Sequence, residues 1–323
     1  MRNPDEMRRA GTSICAKLRD TARATGQDSE FLHKKFAVER LVVRINESRF
    51  AGEYVMKGGM VMLTANPDMP RTTEDLDFTA LSPFTKDSIL AAFLDIAAVE
   101  PSQEDGMVFT LDEAKARKTV MMRDEGVNPG LRCYFDVAIH TQSRPSALRV
   151  KVDAAYGETI SPEPVYGALS RSIRGWDPPV VPMYPWETVL AEKIHTIVRQ
   201  GFENSRMRDF YDILAITRKL PLEGGKVMAA LKATFENRAW VPLDASPAGL
   251  TQAFAAHHQA QWTSLMAKKG FKLKIASLAD VVSEVAAYAH PLLAASVSGE
   301  AFGAAWVPGR GWDAVCPGAA MAA

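Results

Sequence analysis

Cysteine is scarce in this sequence. Cys15, Cys133 and Cys316 lie far apart, with no CxxC or Cys/His spacing. That excludes a disulfide framework and a zinc site and fits a reducing cytoplasm. Long apolar runs are missing too: no stretch of eighteen or more apolar residues occurs, so no membrane span is expected. The opening MRNPDEMRRAGTSICAKLRD is charged and has no apolar h-region, so it is not a secretory signal. Neither sign of charge is in excess, because 38 basic residues balance 38 acidic ones. Overall charge therefore gives no support for nucleic-acid binding, and any such face has to be local. No internal repeat stands out.

What is present is a chain of 323 residues, 47% apolar and 24% charged. That is ordinary globular composition, long enough for two domains. Residues 1–50 read as helical, with Phe36, Val38, Leu41, Val42 and Ile45 spaced for one buried helix face. EYVMK is a strand candidate ended by Gly58-Gly59, and DLDFTAL is another. TKDSILAAFLDIAAV has helical periodicity and opens at a capping Thr85 or Asp87. From 107 to 156 the period changes to two, in MVFTL, LRCYFDVAIH and ALRVKVDAAYG. After WDPPVVPMYP the chain turns helical again: YPWETVLAEKIHTIVRQG starts at Pro185 and stops at Gly201, followed by MRDFYDILAITRKL and GGKVMAALKATFEN. The expected fold class is α+β: a mixed sheet with N-terminal helices over 1–180, then a helical domain over 181–323. The Ala- and Gly-rich stretch from about 291 is expected to be a loosely packed tail.

The chemistry centres on VMKGGMVMLTANPDMPRTTEDLDFT. In a strand, residues i and i+2 share a face, so Asp75 and Asp77 project together while Leu76 and Phe78 turn to the core. Paired carboxylates of this kind suit magnesium with a phosphate substrate. A bare DxD is more often a solvated strand face or a cap, but two neighbours shift the balance. Gly58 and Gly59 let backbone N–H groups approach a phosphate, helped by a helix starting at Met60. A further acid, Asp153, sits inside the apolar strand LRVKVDAAYG, with Asp136 in CYFDVAI as the rival and one of the two expected to serve an arginine. DLDFT also satisfies D-x-D-x-T of haloacid-dehalogenase-type phosphatases, but the preceding PRTTE is no buried parallel strand, which argues against that fold. Lys57 and Arg71 are placed to touch phosphate, and either reads equally as an ordinary surface cation. His195 and the His257-His258 pair have no ligand-spaced partners.

The ordered set of Gly-Gly, a spacer, T-x-DLDF, then AEKIHTIV and R-x-RDFYDI resembles the AbiEii-type nucleotidyltransferases, toxins of bacterial toxin–antitoxin systems related to the MenT toxins. The likeness covers roughly residues 35 to 220. It implies a polymerase-β-like nucleotidyltransferase core followed by a helical C-terminal domain, with an NTP as substrate. It also implies that Asp75, Asp77 and Asp153 hold Mg²⁺, two ions in all, with Asp153 helping to deprotonate the acceptor. Lys193 matches the lysine of the third motif, expected to contact nucleotide phosphates, and Asp209 the aspartate of the fourth. Asp212 reads as structural, in an i,i+4 pair with Arg208, and Lys193 has an alternative as the partner of Glu192 on a solvated helix. The resemblance implies NMP transfer to the tRNA 3′ end in the cytoplasm and a cognate antitoxin as partner. Transfer to a protein hydroxyl and a catalytically silent binding module are the rivals. Lys115, Arg117, Lys118, Arg132, Arg144, Arg149 and Lys151 read either as a phosphate-tracking face or as scattered charges.

Overall fold

The computed structural model describes residues 3–64, 75–118, 130–143, 146–238, 242–268 and 270–313. They fall into two compact units. The first comprises Met1–Asp68, Thr72–Glu158 and Val165–Met183; the second takes Thr159–Pro164 and Tyr184–Ala323.

The first unit opens with two helices, α1 (Pro4–Thr25) and α2 (Ser29–Asn46). Asn3 caps α1 by accepting from the Asp5 N–H, and Asp28 caps α2 by accepting from the Phe31 N–H. There follow β1 (Tyr54–Lys57), a 3-10 turn (Gly58–Met60), α3 (Val61–Thr64), β2 (Asp75–Ala80) and α4 (Lys86–Ala98). Thr85 and Ser88 form a reciprocal capping box at the start of α4. The remaining elements are β3 (Met107–Leu111), α5 (Glu113–Lys118), β4 (Gly130–Ile139), β5 (Ser146–Tyr156), β6 (Val165–Ala168) and β7 (Val180–Met183).

Among the described residues these strands make one mixed seven-stranded sheet, ordered β3-β4-β5-β2-β1-β7-β6. β2 runs parallel to β5 and antiparallel to β1, and β4 is antiparallel to β5. The two faces of the sheet differ completely. On one, Tyr54, Phe78, Cys133, Phe135 and Val152 are buried, with the Phe93 ring of α4 at 5.7 Å from Tyr54 and 5.8 Å from Phe135. The other face carries the charged residues of the same strands. Alternation along β2 therefore fixes which way the aspartates point, because one residue of slip would bury them and expose Leu76 and Phe78.

The second unit holds α6 (Trp186–Gln200), α7 (Met207–Thr217), α8 (Gly224–Asn237), α9 (Gln252–Met266) and α10 (Leu278–Ser298). A small sheet of β8 (Leu222–Glu223), β9 (Ala305–Val307) and β10 (Gly311–Asp313) completes it. The loose tail expected from about 291 is corrected for residues 291–313, and residues 314–323 lie outside those described. Helix α10 continues through Pro291 to Ser298, burying Leu292 and Leu293, and Gly299 closes it with a left-handed φ of 74°. Residues 305–313 form a hairpin whose Trp306 and Trp312 rings pack 5.0 and 5.2 Å from Tyr288. Aromatic burial of this size outweighs the weak local signal of an Ala-rich segment. No helix among the described residues is long and apolar enough to cross a membrane.

Candidate active site

On the polar face of the first unit, strand register lines up a row of four charged residues. Lys57 of β1 stands opposite Asp77 of β2, Asp77 opposite Asp153 of β5, and Asp153 opposite Arg132 of β4. One step along, Asp75 stands opposite Lys151. The two aspartates of DLDF thus share a face, as period two requires, and Asp153 joins them from the parallel neighbour.

Gly58 closes one side of this row. Its φ is +66°, a conformation that costs an L side chain about 1–2 kcal/mol. A Cβ built there would also lie 2.2 Å from Asp77 Oδ2. Position 58 is therefore restricted twice, by its own backbone and by the carboxylate pressed against it. Gly59 is buried in the following 3-10 turn.

The ion pairs are closely matched. Lys151 Nζ lies 2.9 Å from Asp75 Oδ2 and 3.9 Å from Asp153 Oδ2. Arg132 grips Asp153 with both ends of its fork, Nε to Oδ1 and Nη2 to Oδ2, each at 2.7 Å. This charge-assisted pair raises the Arg132 pKa. Lys57 donates to Glu158, whose same oxygen accepts from the Thr79 hydroxyl at 2.5 Å. Glu158 is thus the buried acid that fixes Lys57. Nothing in the sequence marks it, because it lies beyond the end of β5.

Asp77 is the group out of balance. Burial pushes its pKa up to about 6, Lys57 and Lys151 oppose the shift, and the facing Asp153 and Asp75 carboxylates add to it. An acid pair under-neutralised in this way fits a hard divalent cation, and its donors are all oxygen. Among the described residues no group of three or more His, Cys, Asp or Glu side chains gathers closely enough to hold a metal. Asp75 and Asp77 fit that role; both oxygens of Asp153 are taken by Arg132.

Both rivals for third acid hold an arginine, where only one was expected to. Asp136 accepts from Arg149 at 2.7 and 3.0 Å, which lowers its pKa. Position separates the two, since Asp153 faces Asp77 whereas Asp136 faces Arg149 and Thr110.

The expected phosphate-tracking cations of this unit are engaged. Arg132, Arg149 and Lys151 hold the acids already named, Arg117 pairs with Asp87 and Glu113, and Lys115 sits 3.7 Å over the Tyr134 ring. Arg71 and Arg144 lie outside the described residues, as does the Lys118 side chain.

In the second unit, Lys193 of α6 lies 2.8 Å from both Asp209 and Asp212 of α7. Asp212 is fully buried, so the expected Arg208–Asp212 surface pair does not form; the carboxylate turns inward to the lysine. Glu192 pairs with Arg238 at 2.9 Å instead of with Lys193. Arg206, which the sequence reading had left without a role, adds a 2.8 Å bond to Asp209. His195 is a core residue, 1% exposed and edge-on to Phe235 at 4.9 Å, with its pKa lowered to about 4 by burial and then by Arg238 and Arg199. His258 is also buried, with Nε2 at 2.7 Å from the Phe202 carbonyl. The His257 ring lies tilted at 5.2 Å from the Phe202 ring.

No curated protein matches the chain. A family model described as nucleotidyl transferase AbiEii toxin, type IV toxin–antitoxin system, matches residues 40–283. That span takes in β1 through the start of α10 and extends well past the motifs that end near residue 220. With most of its length matched, the chain belongs to the AbiEii family of nucleotidyl transferase toxins.

Proposed function

We propose that the first unit is a polymerase-β-like nucleotidyltransferase core that moves a nucleoside monophosphate from an NTP to the 3′ end of tRNA. Such transfer blocks the acceptor end and stops growth. The supporting observation is the Lys57–Asp77–Asp153–Arg132 row, with Gly58 pressed against the Asp77 carboxylate.

In the transfer, the acceptor oxygen attacks the α-phosphorus. The bond from that phosphorus to the bridging oxygen breaks, and pyrophosphate leaves with the electron pair. Asp153 takes the hydroxyl proton, which requires that one of its oxygens part from Arg132. Asp75 and Asp77 are assigned to two Mg²⁺ ions, and Asp153 would join them as third ligand only once its second oxygen also parts from Arg132; when bound, the ions would supply Lewis-acid stabilisation of phosphate charge. Lys57, steadied by Glu158, sets a cation beside Asp77. Gly58 and Gly59 leave the backbone open to a phosphate. Lys193 is assigned to nucleotide phosphates by its motif, as is Arg71 by its place before DLDF, and Asp209, the aspartate of the fourth motif, lies 2.8 Å from that lysine and fixes it. A cognate antitoxin is the proposed partner, and the cytoplasm the proposed site of action.

The test is labelling. Protein is mixed with each α-³²P NTP, Mg²⁺ and total bacterial tRNA, with Asp77→Ala as control. Label on RNA that disappears in the variant supports the reading; label on protein alone would replace tRNA by a protein acceptor.

A further inference from the structure

The second unit contains an open cavity of about 530 Å³ between the start of α7 and the end of α9. Three cations line it, Arg206, Arg208 and Lys268, together with the Asp209 carboxylate. Arg206 is held by Asp209 at 2.8 Å, and the same carboxylate accepts from Lys193. Arg208 and Lys268 are exposed, and among the described residues neither side chain has an acidic partner. This contrasts with the first unit, where the described cations of the sheet face are engaged. Ser205, Gln261 and Ser264 supply neutral polar groups around the same opening.

We infer that this cavity is a docking site for phosphodiester groups of an RNA backbone, separate from the carboxylate row. Two uncompensated cations, Arg208 on α7 and Lys268 just beyond the end of α9, flanked by hydroxyl and amide groups, match phosphate oxygens with no requirement for base identity. None of the lining residues is aromatic, so the cavity offers no ring on which a base would stack, unlike the usual platforms for mononucleotides and single-stranded bases. Phosphate without base is what a nucleic-acid backbone presents. The inference rests on the proposed RNA acceptor and names a part of the second unit that would hold its backbone.

The experiment is a binding titration, independent of transfer. Fluorescently labelled total tRNA is titrated with wild-type protein, Arg208→Glu, Lys268→Glu and the double variant, from 50 to 200 mM salt. Each phosphate contact steepens the salt dependence by about 0.7–0.9 in log–log slope, or about threefold over that range. The double variant should therefore lose about tenfold of the wild-type salt sensitivity and bind more weakly at the lowest salt. Inorganic triphosphate, as a stand-in for a nucleotide tail, is titrated against the same proteins. Unchanged tRNA affinity and slope would overturn the inference, and so would loss of triphosphate binding in place of RNA binding. Both residues are exposed, so equal melting temperatures are expected and separate binding from misfolding. If the cavity binds RNA and wild type transfers no label, the proposed chemistry fails while the site stands.

Discussion

Replacing Lys193 with alanine removes the ammonium that Asp209 and Asp212 share at 2.8 Å each. The three side chains are 12%, 6% and 0% exposed, so water cannot take over the lost charge. Breaking a buried ion group by deleting one partner costs about 3–5 kcal/mol, because a charge is left uncompensated. Arg206 remains on Asp209 at 2.8 Å, so the lower end, about 3 kcal/mol, is expected. For a unit of this size each kcal/mol lowers the midpoint by about 2–4 °C. The Lys193→Ala transition should thus drop by about 6–12 °C, read by thermal or urea unfolding at pH 7. Adding Asp212→Asn removes the carboxylate charge that Lys193 had neutralised while keeping shape, and the double variant should recover about half of the loss. A drop below about 2 °C, or a double variant no better than Lys193→Ala, would refute the reasoning and show that the triad's charges are not what stabilises the α6–α7 contact.

Three other outcomes follow from the same kind of argument. Gly58→Ala should cost on the order of 1–3 kcal/mol and abolish transfer, since its Cβ meets Asp77 Oδ2 at 2.2 Å and its φ of +66° is left-handed; a fully active, equally stable variant would show that the turn tolerates a side chain. Asp77→Asn should melt higher than wild type at pH 7, because an acid whose folded pKa is pushed up to about 6 destabilises the fold while ionised. That advantage should shrink as pH falls below about 6, where the wild-type carboxyl protonates; a variant that melts lower at pH 7 would count against the carboxylate imbalance. His195 stays neutral in the fold down to about 4 but protonates near 6.5 when unfolded. Wild type should therefore lose about 2 kcal/mol between pH 7 and 5, and Leu at this position should flatten that part of the pH–stability curve.

Much of the fold was legible because its signals are local. Period two in LRCYFDVAIH and LRVKVDAAYG returned as β4 and β5, and Thr85 and Gly201 punctuate helices where their chemistry says they should. Asp75 and Asp77 were legible for the same reason, because two residues apart on a strand means one face. Contacts set by register were not. That Asp153 faces Asp77 depends on pairing between strands distant in sequence, and that Arg132 and not water fills its carboxylate depends on the register of the β4–β5 pair. Glu158 was invisible because one glycine beyond the end of β5 looks like loop. Asp212 was misread because helical spacing offers it Arg208 at i−4, while burial against α6 offers Lys193. Residues 291–313 misled because an Ala-rich helix has little periodic contrast and contains a proline, and the tryptophans that pin it follow later.

The most direct measurement is transfer of label from an α-³²P NTP to tRNA by four proteins side by side: wild type, Asp77→Asn, Asp153→Asn and Asp136→Asn. The carboxylate row predicts transfer by wild type and Asp136→Asn and at least about a hundredfold loss in the other two. Loss in Asp136→Asn with Asp153→Asn still active would contradict the assignment of the third acid. Full transfer by Asp77→Asn would contradict the site itself.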